Sequence, residues 1–177
     1  MGLTAGAIYT GVSQDALQTL VHTGLVNAKA MPDAASGSGF DMEGACRIGA
    51  MNTTWRVALL SSRCYRQIRS DGFSDKLRTA SLGGRIFFWF TASSTGEVLF
   101  ELHEDGVLCR RWAESEGQVL ANLGTPLAEE AGLVEPEQDG GPMHDEWSML
   151  ELAERLTGIS EDQHFHMLGP TWPVAPP

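Results

Sequence analysis

The stretch RIFFWFTASSTGEVLFELHEDGVLCRRW, residues 85–112, decides the fold. After Arg85 it begins with a continuous apolar and aromatic run, as expected of a central strand covered on both faces. TASSTG turns the chain, and EVLFELHE then alternates. Val98, Phe100 and Leu102 face one way; Glu97, Leu99, Glu101 and His103 face the other. Asp105-Gly106 is a two-residue hairpin signal of type I′, and GVLCRRW returns. In that register Glu101 lies opposite Arg110, an exposed cross-strand pair worth roughly 0.2–1 kcal/mol. GQVLANLG adds a fourth, short strand. Strand following strand through tight turns implies an antiparallel meander rather than a βαβ sheet. The expected class is therefore α+β: an antiparallel β-meander of about four to six strands packed by two or three helices.

Upstream, TTWRVALLSS (53–62) reads as a strand with Trp55, Val57 and Leu59 on one face. RCYRQIR then places Arg63, Arg66 and Arg69 as a loose basic stripe. SDKLRTASLGGR suggests a short helix capped by Ser74 and ended by Gly83-Gly84. A first helix is expected over Gln14–Thr23, with Ser13 as N-cap, Gly24 as terminator and Ala16, Leu17, Leu20 and Val21 as its apolar stripe. The loop-forming MPDAASGSGFDMEG (31–44) follows, so residues 1–50 are read as a helix-and-loop appendage to a main domain over 51–177.

Downstream, Thr125-Pro126 opens a short helix. DEWSMLELAERLTG carries the best helical pattern, with Asp145 as N-cap and Gly158 as stop. Met149, Leu150, Leu152, Ala153 and Leu156 share its apolar face; Trp147, Glu151, Glu154 and Arg155 share the other. The last segment, with four prolines, is expected to run extended over the body.

Charge is the clearest functional signal. The net charge is −11, but residues 1–92 hold nine Lys/Arg against six Asp/Glu, and residues 93–177 hold three against seventeen. Such an acidic half repels phosphates and argues against a nucleic-acid partner. It suits a basic protein partner, because opposed potentials steer encounter; the simpler reading is an acidic surface that maintains solubility. No apolar run approaches the roughly eighteen residues of a membrane span, and no basic, apolar leader opens the chain. With three unclustered cysteines, Cys46, Cys64 and Cys109, a cytoplasmic setting with free thiols is expected.

Motifs for chemistry are weak. His164 and His166 could join His144 around zinc, but no CxxC or HExxH supports a metal, and surface histidines are the plainer reading. Cys64 lies between Arg63 and Tyr65, where positive charge favours a thiolate, yet no positioned base is evident and a small core residue is the plainer reading. The glycines at 37 and 39 lack the context of a phosphate loop. EPEQDGGPMHDE lacks the terminal bidentate glutamate of a calcium loop. No cofactor and no metal is expected.

The acidic run carries more. Between Trp112 and Asp162 there are thirteen Asp/Glu and one arginine, Arg155. A charged rim of Glu135, Glu137, Asp139, Asp145, Glu146, Glu151 and Glu154 is expected around Trp147. Two readings stand for Trp147: a partner-binding anchor, or a staple folding the helix start onto the sheet.

GRIFFWF, GEVLFELHEDGVLCRRW, GQVLANLGTPLAEE and the DEWSMLELAERLTGI helix together resemble the small acidic immunity proteins of bacterial polymorphic-toxin and type VI secretion systems. The resemblance covers residues 84–158 and carries no residue roles. It implies a cytoplasmic, non-enzymatic protein that binds and neutralises a cognate toxin. Two other classes remain open: a small hydrolase or transferase using His103, Cys64 or the late histidines, and a secretion chaperone or adaptor that holds an effector.

Overall fold

A computed structural model describes residues 4–27, 29, 46–50, 52–133, 135–136, 142–143, 146–167, 171–173 and 175. Ten strands are present among them: β1 (Thr4–Gly11), β2 (Cys46–Ala50), β3 (Trp55–Ser61), β4 (Arg85–Ala92), β5 (Glu97–Glu104), β6 (Val107–Ser115), β7 (Gln118–Gly124), β8 (Glu135–Pro136), β9 (Pro142–Met143) and β10 (Thr171–Trp172). Eight of them form one antiparallel sheet in the order β10-β2-β3-β1-β4-β5-β6-β7, and β8 and β9 pair as a separate ribbon. The helices are α1 (Ala16–Thr23), α2 (Tyr65–Ile68), α3 (Phe73–Ala80), α4 (Glu146–Thr157) and α5 (Glu161–Phe165). The class is α+β, with a larger sheet and more helices than expected. None of the described helices is long and apolar enough to cross a membrane.

β4 lies near the middle of the sheet, and its residues 86–92 are all buried. A strand aromatic on both faces needs cover on both, and two cores supply it. On one face Phe87 and Trp89 join Tyr9, Phe100 and Trp112 beneath Met149, Leu150, Leu152 and Ala153 of α4. On the other, Ile86, Phe88 and Phe90 pack against Leu20 of α1, Ile68 of α2, and Phe73 and Leu77 of α3. Each buried aromatic ring removes about 150–250 Å² from water, an upper-bound gain on the order of 4–6 kcal/mol before ordering entropy.

The N-terminal segment is not an appendage in the described structure. β1 sits between β3 and β4, and α1 covers the second core. TAGAIYTG escaped recognition as a strand because it is built small. Its neighbour is the aromatic β4: Gly6 faces Phe90 in register, and a Cβ at Gly6 would lie 2.7 Å from the Trp89 carbonyl oxygen and 2.8 Å from Phe90 Cδ2. Residues 30–45, which include the whole of the expected loop, lie outside the described residues.

The β5–β6 hairpin turns at Asp105 (φ 47°) and Gly106 (φ 77°), as its sequence indicates. The expected register is off by one. A bulge between Leu102 and His103 sets Leu102 opposite Arg110 and Glu101 opposite Arg111. Arg110 and Arg111, consecutive on β6, point to opposite faces, and the bulge sets which face each takes. Arg110 joins the α4 side, fully buried: it donates two 2.8 Å bonds to Glu130 and others to Asn122 Oδ1 and the Leu123 carbonyl. Its guanidinium also lies 5.7 Å from the centroid of Phe100 and 5.8 Å from that of Trp112. These bonds tie β7 and the turn at Ala128–Glu130 to the core; that single 3₁₀ turn stands where a short helix was expected.

The C-terminal segment departs from the expected extended path. Ser160 and Gln163 form a reciprocal capping box that starts α5, and β10 adds to β2. Within α5, His164 is buried, with Nε2 2.5 Å from the Tyr9 hydroxyl. Trp89 Nε1–H donates to the same Tyr9 oxygen at 3.2 Å. The Tyr9 O–H is thus left to donate to His164, and only a neutral imidazole accepts it. Burial lowers the His164 pKa from 6.5 to about 4 and raises that of Tyr9.

Two outcomes follow from this packing. Gly6→Ala is expected to lower stability by about 1–3 kcal/mol through overpacking against β4, read as a reduced urea midpoint at unchanged m-value. His164 binds its proton more readily unfolded than folded, so its contribution is complete above pH 6.5 and is lost as pH falls towards about 4. Across that window the wild type should lose roughly 2–3 kcal/mol more than His164→Gln; parallel stability–pH curves would refute the assignment.

Candidate functional site

α4 presents its apolar stripe to the sheet and leaves a second face in water. Met149, Leu150, Leu152 and Ala153 are buried, whereas Trp147, Glu151, Glu154 and Arg155 are exposed, as their spacing indicates. Gly158 closes the helix at φ 70°, its N–H bonded to the Glu154 carbonyl at 2.7 Å. Trp147 remains 54% exposed, which favours the anchor over the staple. With Glu151, Glu154, Arg155 and Glu161 of α5 it lines a shallow depression of about 450 Å³.

Arg155 is the one cation in that depression, and it is occupied. Nη2 bonds Glu151 at 2.6 Å, while Nη1 bonds the carbonyls of Glu129 at 3.0 Å and Ala131 at 2.7 Å. Glu154 and Glu161 have no ion pair among the described residues. The basic stripe does not reach them. Arg63, Arg66 and Arg69 belong to the turn and helix that pack under the opposite face of the sheet, and Arg69 pairs there with Glu97. The two covering layers therefore differ in sign. Residues 61–83 hold five Lys/Arg and two Asp/Glu; residues 146–166 hold one arginine and five Asp/Glu.

Of the expected rim, the structure brings Glu151 and Glu154 together beside Trp147 and adds Glu161. Glu137, Asp139 and Asp145 lie outside the described residues, and at Glu135 and Glu146 only the backbone is described. That backbone does place Glu135 opposite Met143 in the β8–β9 ribbon and Glu146 at the start of α4.

A second feature escaped sequence reading. In sequence the Glu97–His103 row reads as the open side of a hairpin, but α2, α3 and their connection cover it. Glu97, Glu101 and His103 are all buried. Tyr65 Oη donates to Glu97 at 2.7 Å and Arg69 pairs with it at 2.5 Å. Glu101 accepts from Ser74 Oγ at 2.9 Å, meets His103 Nε2 at 2.8 Å and pairs with Arg111 at 3.3 Å. Arg69, Ser74, Glu97, Glu101 and Arg111 border a groove of about 400 Å³ that opens onto Leu120 and Ala121 of β7. Alternation is what concealed it: a polar face of period two reads as solvated unless the element above it is known.

Ser74, His103 and Glu101 do not form a serine–histidine–acid relay. Ser74 and His103 both bond the same Glu101 oxygen, rather than His103 bridging serine to acid. Cys64 is buried with its sulfur 3.9 Å from that of Cys46, whose pKa burial drives well up. His164 of α5 is buried and His166, the C-cap of that helix, is exposed, so the two rings do not converge. No group of three metal-binding side chains occurs among the described residues, and His144 lies outside them.

Comparison with protein families, with curated proteins and with solved structures returns no match. Glu101→Leu should strand Arg111, Ser74 and His103 together and cost about 3–5 kcal/mol by chemical denaturation; a loss within 0.5 kcal/mol would show that the row does not hold α3 in place.

Proposed function

We propose that this chain is a binding protein of the immunity type, which neutralises a basic bacterial toxin by laying the α4–α5 face over it. The observation that carries the reading is Trp147: a large indole, 54% exposed, beside Glu151, Glu154 and Glu161. Carboxylates alone steer a partner and confer salt sensitivity but add little affinity. A desolvated aromatic ring supplies what they lack. Glu151 is paired with Arg155, but the charges of Glu154 and Glu161 are available, because the basic stripe sits across the sheet. A toxin with a cationic substrate cleft, delivered by a polymorphic or type VI system, is the partner class that fits. The hydrolase reading gains nothing from Cys64, His103 or His164, all of which are buried.

The test uses the product of an adjacent toxin-like reading frame as ligand. Glu151→Lys/Glu154→Lys should slow association by about tenfold at low salt, with the difference shrinking as salt rises. Trp147→Ala should raise the dissociation rate by about thirtyfold. Folded variants that bind and protect as the wild type does would remove this face from the account.

A further inference from the structure

The sheet ends in two unlike edges. Proteins guard an edge with brevity, proline, charge or a bulge. β10 follows that practice: it has two residues and is followed by Pro173. β7 has only the bulge at Leu120. QVLANLG has seven residues with neither charge nor proline. It pairs with β6 on one side and, among the described residues, with nothing on the other. Val119, Leu120 and Leu123 are 41%, 61% and 52% exposed. Its one irregularity, a register shift opposite Ala113 and Glu114, accompanies the presence of both Leu120 and Ala121 at the groove.

The groove's charges nearly balance. Glu97 and Glu101 are each paired with an arginine, Arg69 and Arg111, and the Glu114 carboxylate accepts from Trp112 Nε1 on the α4 side, which leaves Asp71 as the unmatched charge. Asp71 has no ion pair among the described residues and stands at the rim, in the turn between α2 and α3. The nearby cations of α3 do not offset it: Arg78 pairs with Asp75, and Lys76 points towards Gly24 beside α1.

We propose that β7 and this groove take an extended segment of a cationic polypeptide as a ninth strand. Its backbone pairs with the open edge. On the groove face, alternate lysine or arginine side chains lay their stems over Leu120 and Leu123 while one charged head reaches Asp71. A second copy of this chain is the poorer occupant, since it brings another net charge of −11 and its own QVLANLG offers no cation to Asp71. The surface lies on the α2–α3 side and does not rest on the Trp147 reading.

The probes are three capped, fluorescently labelled hexapeptides: alternating Val-Lys, alternating Val-Glu, and the Val-Lys peptide N-methylated at alternate amides. Binding is read by anisotropy at low salt. The Val-Lys peptide should bind at least about tenfold tighter than Val-Glu, and N-methylation should abolish binding. Leu120→Lys, at an exposed position, should weaken it by about tenfold, and Asp71→Ala by several-fold. Glu151→Lys/Glu154→Lys should leave it unchanged, which separates this surface from the α4 face. Equal binding of the N-methylated peptide, or indifference to Leu120→Lys with circular dichroism showing an intact fold, overturns the proposal. So does a dimer by sedimentation that Leu120→Lys dissolves, because the edge would then belong to a second copy.

Discussion

β4 cannot be satisfied from one side. Ile86, Phe88 and Phe90 point one way and Phe87 and Trp89 the other, all buried. A one-faced sheet would leave two aromatic rings of β4 in water, so helices must lie on both faces. The chain meets this by giving one layer to α1, α2 and α3 and the other to α4 and α5. The first layer comes from the basic part of the sequence and the second from the acidic part. Charge separation thus follows from which segment covers which core. An 8-stranded sheet stands between Arg63 and Arg66 on one side and Glu151 and Glu154 on the other.

The bulge in the β5–β6 hairpin shows how one extra residue redistributes charge. A regular ladder would set Glu101 against Arg110. The bulge instead gives Arg111 to Glu101 and sends Arg110 through to the α4 side, where Glu130 receives it. Both carboxylates are buried, and both are matched by a guanidinium and further hydrogen bonds. Such pairs stabilise little relative to an apolar core, but losing one partner leaves the other charge stranded. They specify which strand lies where. Arg110 bonds Asn122 and the Leu123 carbonyl, which holds β7 in register although its outer edge is open.

Sequence reading recovered the elements whose pattern is internal to them. The β4–β7 meander, the turn at Asp105-Gly106 and the buried stripe of α4 all follow from periodicity and turn chemistry. It failed where the deciding fact was a neighbour. β1 is small because β4 is large, so Gly6 and Ala7 read as loop until Phe90 and Trp89 stand beside them. Glu97 and Glu101 read as solvated until α2 and α3 cover them. Ser160 and Gln163 cap a helix that four prolines in the same segment disguise. At the candidate site, Trp147 with Glu151 and Glu154 was legible from helical spacing alone. Glu161 was not, because it arrives on a separate helix.

The central claim is that negative potential surrounds Trp147 and is not consumed within the fold. Collisional quenching of tryptophan fluorescence tests it with no partner present. Trp55, Trp89 and Trp112 are buried and Trp172 is partly so, which leaves Trp147 as the principal target for a dissolved quencher. With each quenching constant divided by that for free N-acetyltryptophanamide, caesium ion should quench this emission well above iodide at low ionic strength, the difference should fade with added salt, and Trp147→Phe should remove it. Normalised iodide quenching equal to or stronger than caesium, lost in the same variant, would contradict the account.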